Sequence, residues 1–489
     1  MREINKMQRA ACLGQGTGKV TIKHLECAIP FIALFIVATV ARWQTFYNPV
    51  IGADEQFYLL VGDRMLHGAL PYVDIFDRKP VGLFLIYAAI RALGGAGVIQ
   101  YQIMALAVVA ATAALIYAAA KPLAGRVGAL VAGCLYILWL NFMEGEGGEA
   151  EIFFNLPMLA VAILVRRAVS CRRIEICVGA GIMLMVGAAL QIKYTVVFEG
   201  AFFGCALLWA RFQSDPRVSR FVGTAMLWIF CAILPTLAVA AYYALHGYLQ
   251  PFIFANFQSQ FGKYPESLQT QALSFTATAL ILSPLLGLAV TAIWHSRADR
   301  FAVLWLAVAA GGYLGMRMFV TPHYAMPLLA PILLTGAPTL RNPRWLWFLP
   351  LPFIAGQAVL AHNAAHKGDR ASLERLASLA LAAPRPIYVY DGYSALYLRT
   401  GSRLPTKWVF PGHLDFAAEN SPRALGVSPA DEERRILALA PSVIYTRYPE
   451  RGGGNHSTYR ILQAELARSY HLAVREKLTS YELRGYVHN

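Results

Sequence analysis

Apolar stretches of about 20 residues, the length that crosses the hydrocarbon core of a bilayer as a helix, recur along most of the chain. They begin near residues 27, 98, 127, 152, 175, 195, 221, 271, 301, 324 and 345 and end at His362. The pattern predicts an all-α polytopic membrane protein with about eleven transmembrane helices. One further apolar segment, residues 81–95, either spans the bilayer or lies as a helix on its surface. Beyond His362 the alternation shortens and charge increases. Residues 386–391 and 442–446 read as short buried strands, 429–440 as a helix, and 471–475 with 480–486 as a closing hairpin, so residues 363–489 form a small α/β domain outside the membrane.

Composition agrees: 57% of the 489 residues are hydrophobic and 15% are charged. The net charge of +15 would suggest a nucleic-acid partner in a soluble protein, but in a membrane protein cations belong first to the inner loops. If residues 81–95 stay outside, the inner side receives eighteen cations, including Arg166, Arg167, Arg172 and Arg173, and the short outer loops keep eight. Counting the segment as a span reverses that bias, so a surface helix is expected. The expected organisation is then a cytoplasmic tail at 1–26, a transmembrane domain at 27–362 whose first outer loop, 43–97, carries juxtamembrane helices, and the α/β domain at 363–489. In a bacterial cell this is a multi-pass inner-membrane protein with a periplasmic C-terminal domain, bound to membrane lipid and not to nucleic acid. The basic N-terminus and the apolar run after it resemble a secretory signal, yet a basic region of about 25 residues is too long for one, and an uncleaved anchor is expected. All seven cysteines precede the C-terminal domain, which therefore has no disulfide.

This topology collects the chemistry on the outer face. Loop one carries Asp54-Glu55, Tyr58, Tyr72 and Asp77-Arg78-Lys79-Pro80, and loop two carries Glu144, Glu146, Glu149 and Glu151 among glycines. A lone Lys193 ends one span, Lys263 lies in an aromatic loop at 246–271, and Arg317 precedes His323-Tyr324. Ionisable groups beside lipid are costly and usually serve a charged ligand. The inner loops hold only basic connectors.

The ordered set Asp54-Glu55, Tyr58, Gly68-x-x-Pro71-Tyr72, Asp77-x-Lys79-Pro80, Lys193 and Arg317 with His323-Tyr324 resembles the GT-C glycosyltransferases. It is most similar to the bacterial branch related to dolichyl-phosphate-mannose protein mannosyltransferases and lipid A aminoarabinose transferases. The resemblance covers the membrane part and, more loosely, the tail domain. It implies an inverting enzyme that moves one hexosyl or pentosyl unit from a polyprenyl-phosphate carrier to a lipid, glycan or protein hydroxyl at the outer face.

Such a transfer needs a carboxylate to take the acceptor proton and cations to hold the departing phosphate. The resemblance gives the base to Asp54, with Glu55 orienting the acceptor or substituting for it; neighbouring helical residues diverge by about 100° and cannot share one pocket equally. Asp54 as a plain N-cap is the structural alternative. Lys79, Lys193, Arg317 and His323 are the candidate phosphate ligands, against snorkelling or helix-end roles. Tyr58, Tyr72, Asp77, Arg78, Glu149, Glu151, Lys263 and Tyr324 are weaker substrate contacts, and the tyrosines equally suit an interfacial belt. The glutamates of loop two suit a divalent cation, but Lys and Arg stand in for one here, so no metal or other cofactor is expected. Residues 246–271 suit either a lid or an interfacial helix. A transporter or flippase for a lipid-linked sugar is the alternative from another class. It would carry polar groups at mid-membrane or an internal repeat, and the chain shows no repeat.

Overall fold

The protein is described from a computed structural model, which covers residues 21–316, 321–381 and 385–489, with backbone alone for 21–27. Arg317 and the first twenty residues of the expected cytoplasmic tail lie outside the described residues.

The chain enters through α1 (Thr21–Arg42) and then makes two helices that are not long apolar spans, α2 (Ala53–Leu66) and α3 (Val81–Ala92). At 1.5 Å per residue, α3 extends about 18 Å, short of the ~30 Å hydrocarbon core. Helix α4 (Val98–Leu140) contains 43 residues and breaks at Gly125, whose φ of 72° and ψ of −176° are not helical. Pro122, three residues earlier, cannot donate to the helix ladder, and glycine accepts the left-handed backbone that the bend needs. The break lets one continuous segment supply two of the expected apolar runs.

Helices α5 (Ala150–Cys171), α6 (Ile176–Leu190), α7 (Val197–Ser214), α8 (Val218–Leu245), α9 (Leu268–Trp294) and α10 (Arg300–Gly315) follow, then α11 (Leu329–Gly336) and α12 (Pro350–Lys367). Among the described residues, seven helical stretches are long and apolar enough to cross a membrane, and α3, α6 and α10 are shorter apolar helices. Large apolar side chains on α8 face outward, with Met226 63% and Ile229 58% exposed, which suits lipid and would be unfavourable in water.

Helix α13 (Arg370–Ala377) leads into the C-terminal domain. Its sheet contains β1 (Ile387–Val389), β2 (Val443–Tyr448), β3 (Tyr470–Lys477) and β4 (Glu482–His488) in the order β1-β2-β4-β3. The β1·β2 pair is parallel, with Tyr388 opposite Ile444, and the other two pairs are antiparallel. The parallel pair requires a crossover, and α14 (Pro429–Ala438) lies on it. The expected strands, the helix near 429 and the hairpin are therefore present. The expectation lacked α15 (His456–Ser469), whose Thr458, Leu462 and Leu466 form a buried helical stripe.

Two long-range contacts position the outer loops. Arg42, buried at the end of α1, donates to the carbonyls of Gly145, of Glu146 at 3.3 Å and of Gly147 at 3.2 Å, so the acidic loop wraps around one guanidinium. At the start of α3, a Cβ on Gly82 would lie 2.5 Å from the Gln191 carbonyl oxygen, which itself accepts the Leu83 amide at 3.1 Å. Only glycine allows the surface helix to meet the tip between α6 and α7 this closely.

Candidate active site

Helix α2 begins at Ala53 with Gly52 as its N-cap, and no side chain caps it. Asp54 is thus in the first turn, not at the cap, and its side chain is free to leave the helix axis. The two carboxylates diverge as helical geometry requires. Glu55 is 1% exposed and turns to the acidic loop, where Oε1 accepts the Gly148 amide at 2.9 Å. Asp54 Oδ2 accepts the Tyr58 hydroxyl at 2.8 Å and lies 3.6 Å from Lys79 Nζ.

Their electrostatics diverge as well. Burial by itself would raise Asp54, but Lys79, His323, the Tyr58 hydroxyl and Lys193 outweigh it and hold the carboxyl below the ordinary aspartate range. Burial pushes Glu55 up to about 7; its backbone hydrogen bond opposes this, and the carboxylates of Asp54 and Glu146 add to it. Glu149 rises well above its ordinary value through burial and the nearness of Glu55 and Asp54.

Two lysines border Asp54. Lys79 Nζ also lies 3.9 Å from Asp77 Oδ1 and 5.2 Å from the centre of the Tyr58 ring. Burial opposes its charge, but Asp54 and Asp77 prevail and raise its pKa, so it remains protonated. Its backbone is held from both sides: Asp77 Oδ1 accepts the Lys79 amide at 3.0 Å, and the Tyr72 hydroxyl donates to the Lys79 carbonyl at 2.8 Å. Lys193 forms a buried ion pair with Glu151 and lies 3.8 Å from the centre of the Tyr324 ring. Burial disfavours this ammonium too, and Glu151 overcomes it.

Of the expected site residues, the structure groups Asp54, Glu55, Tyr58, Lys79, Glu149, Glu151, Lys193, His323 and Tyr324, with Asp77 and Tyr72 holding the Lys79 turn. His323 Nδ1 is 3.1 Å from Glu144 Oε2, and one ligand atom each from Asp54, Glu149 and His323 lie within 4.8 Å of one another, a spacing at which a divalent cation can be held. Arg78 and Lys263 belong to a separate cluster. Arg78 clasps Glu419 through two bonds of 2.8 and 2.7 Å and bonds Ser259 Oγ at 2.7 Å, while Lys263 Nζ reaches Glu419 at 2.7 Å. The expected lid segment is thereby tied to the C-terminal domain, and the Tyr264 amide donates to the Ala418 carbonyl at 2.9 Å.

Sequence reasoning named Glu144 and Glu146 only with the other loop-two glutamates, and it missed Arg42 and Lys367 as site residues. Lys367 Nζ sits 3.6 Å from Glu146 Oε1 and had the same signal as Lys193, a solitary cation at the outer end of an apolar run. It also missed Asp391, Phe410 and Arg451, which reach the site from the C-terminal domain. Between that domain and the start of α2 lies a cavity of about 410 Å³ with Asp54, Glu55, Glu149 and His323 on its membrane side.

No family model and no curated protein sequence matches this chain. Solved structures do. ArnT from Cupriavidus metallidurans bound to undecaprenyl phosphate superposes with a TM-score of 0.61 over 94% of this chain and 97% of that one, at 13% identity. The same protein in the apo state gives 0.56 over 94% and 98%, also at 13% identity. The Archaeoglobus fulgidus oligosaccharyltransferase tethered with an acceptor peptide gives 0.50 over 95% and 74%, at 9% identity. At these identities the likeness is one of fold, and it extends over the membrane helices and the C-terminal domain together: the chain has the GT-C fold that ArnT and the archaeal oligosaccharyltransferase share.

Proposed function

We propose that this chain is an inverting glycosyltransferase that moves a single sugar from a polyprenyl-phosphate carrier to an acceptor hydroxyl at the periplasmic face of the inner membrane. The observation that carries the reading is the placement of Asp54 beside two lysines. Its carboxylate is kept ionised 3.6 Å from Lys79, and Lys193 contributes to the same field. The ArnT structure that superposes here was solved with undecaprenyl phosphate bound, which supports a lipid-phosphate ligand for the shared fold.

In this mechanism the acceptor oxygen attacks the anomeric carbon as its proton passes to Asp54. The bond from that carbon to the phosphate oxygen breaks, and the electron pair leaves on the polyprenyl phosphate. Lys79 and Lys193 hold the developing charge, exchanging part of their pairing with Asp54 and Glu151 for the phosphate. Tyr58 orients Asp54, and the His323 imidazole, on the wall of the neighbouring cavity, helps keep it ionised. The lysines do the work of a metal in this reading. The alternative is a divalent cation held by Asp54, Glu149 and His323, favoured by their mutual approach.

The test is sugar transfer by purified protein in nanodiscs, with a panel of undecaprenyl-phosphate sugars and an envelope lipid extract, for wild type and Asp54→Asn, with and without chelator. Turnover that survives chelation and disappears in the variant is expected. Loss on chelation would move the reading to the metal centre. Unconsumed donor with labelled lipid-sugar crossing the bilayer would replace the transferase with a flippase.

A further inference from the structure

The cavity beside Asp54 carries information about the acceptor. Asp54 and Glu149 line it, whereas Lys79 and Lys193 do not. Asp54 therefore meets the Lys79 ammonium at 3.6 Å and also borders about 410 Å³ of open volume that neither lysine lines. An acceptor whose hydroxyl gives its proton to Asp54 has this volume to extend into.

The walls are acidic and carry few cations. Among the described residues they present six carboxylates, those of Asp54, Glu55, Glu144, Glu146, Glu149 and Asp391, against the ammonium of Lys367, the guanidinium of Arg451 and the imidazole of His323. Both permanent cations are already engaged, Lys367 with Glu146 at 3.6 Å and Arg451 with Asp391 and with Asp415 at 3.3 Å. Glu55, Glu146 and Glu149 are each no more than 5% exposed, and the Oε2 atom of each accepts no hydrogen bond. Hydroxyl groups donate to an ionised carboxylate and accept from a protonated one, so a lining rich in carboxyl groups suits a ligand rich in O–H groups. Tyr393 and Phe410 add aromatic surface to the same walls. A phosphate group would instead meet like charge at short range.

We propose that this cavity is the acceptor site and that the acceptor's reacting end is an uncharged, hydroxyl-rich saccharide and not a phosphorylated one. The inference rests on the reading of Asp54 as base. It assigns the C-terminal domain a share in substrate choice, since Asp391, Tyr393, Phe410 and Arg451 come from it.

The experiment uses the full chain in nanodiscs and saturation-transfer NMR, with a set of uncharged methyl disaccharides and the same set bearing a phosphate on the terminal sugar. At least one uncharged disaccharide should bind, about tenfold tighter or more than its phosphorylated counterpart. Gly392 also lines the cavity, and a Cβ there meets only Val389 and Leu483 at 3.4 and 3.8 Å, so Gly392→Leu should fold, as its thermal midpoint will report, and should lose the saccharide signal. Equal or tighter binding of the phosphorylated set, no binding by either set, or wild-type binding by Gly392→Leu would each overturn the proposal. Stabilisation of the wild type by undecaprenyl phosphate alone is read in parallel. Its absence counts against the transferase reading and leaves the saccharide result to stand by itself.

Discussion

Asp54 and Glu55 are consecutive in the chain yet belong to different hydrogen-bond systems: Asp54 takes the Tyr58 hydroxyl at 2.8 Å, and Glu55 takes the Gly148 amide at 2.9 Å. The pair therefore offers two carboxyl groups with separate titrations, one held below the ordinary aspartate range and one pushed up to about 7.

That separation lets a pH profile distinguish the two candidate bases. A general base works deprotonated, so activity rises with pH through its pKa. With Asp54 in the role, kcat/KM stays level through neutrality and its acid limb falls below the ordinary aspartate range. With Glu55 in the role, the limb would be centred near pH 7. A pH profile of the wild-type enzyme decides between them.

Replacing Lys79 should act on both halves of the reaction. Lys79→Ala is expected to weaken the affinity for undecaprenyl phosphate by about tenfold or more, as loss of a charge-assisted contact does. It also removes the strongest of the neighbours that keep Asp54 ionised, so the acid limb should move to higher pH. A variant with weakened lipid binding and an unmoved limb would place Lys79 on the phosphate and exclude its influence on Asp54.

The cluster around Glu419 predicts a stability effect far from the chemistry. Burial would raise this carboxyl, but Arg78 and Lys263 outweigh burial and hold it at about 2. A depressed folded-state pKa contributes stability that is complete above the ordinary glutamate value of 4.5 and is lost as pH falls toward about 2. Glu419→Gln, which leaves Arg78 and Lys263 without their partner, should cost about 3 kcal/mol at neutral pH and blunt the acid sensitivity. Thermal unfolding at neutral and acid pH measures both. The KM for donor should rise too, because Lys79 adjoins the released Arg78.

Glu433 predicts the opposite sign. It is fully buried on the inner face of α14, takes the Tyr388 hydroxyl at 2.5 Å, and burial pushes it up to about 8. The folded state keeps this proton while the unfolded chain releases it near 4.5, so the domain loses stability as pH climbs from 4.5 through about 8. Glu433→Gln should flatten that decline, as followed by denaturant unfolding across the same range.

What the sequence made legible follows from the range of the forces involved. The apolar runs, the short helix at Val81–Ala92 and the closing hairpin are local patterns, and each appears where its periodicity puts it. The divergence of Asp54 from Glu55 was likewise readable from helical geometry. Partners were not readable. Arg78 and Lys263 announced charge beside a membrane, but Glu419, hundreds of residues along the chain, takes both. Arg42 counted only as an outer cation and in fact organises the loop that holds Glu144, Glu146 and Glu149. The cavity has walls from segments more than 300 residues apart, so nothing local marked Asp391 or Arg451 as neighbours of Asp54.

The contact between Gly82 and Gln191 bears on how such a protein diverges. Lys79 lies three residues before Gly82 and Lys193 two residues after Gln191, so the interval between the two ammonium groups is inherited from main-chain packing across a glycine. Exchanges among Leu, Ile and Val in the bundle leave that interval alone, whereas one methyl group at residue 82 would force the backbones apart. A lineage can thus rewrite most of its lipid-facing surface and still keep these two lysines at the same spacing, provided this one position never acquires a side chain.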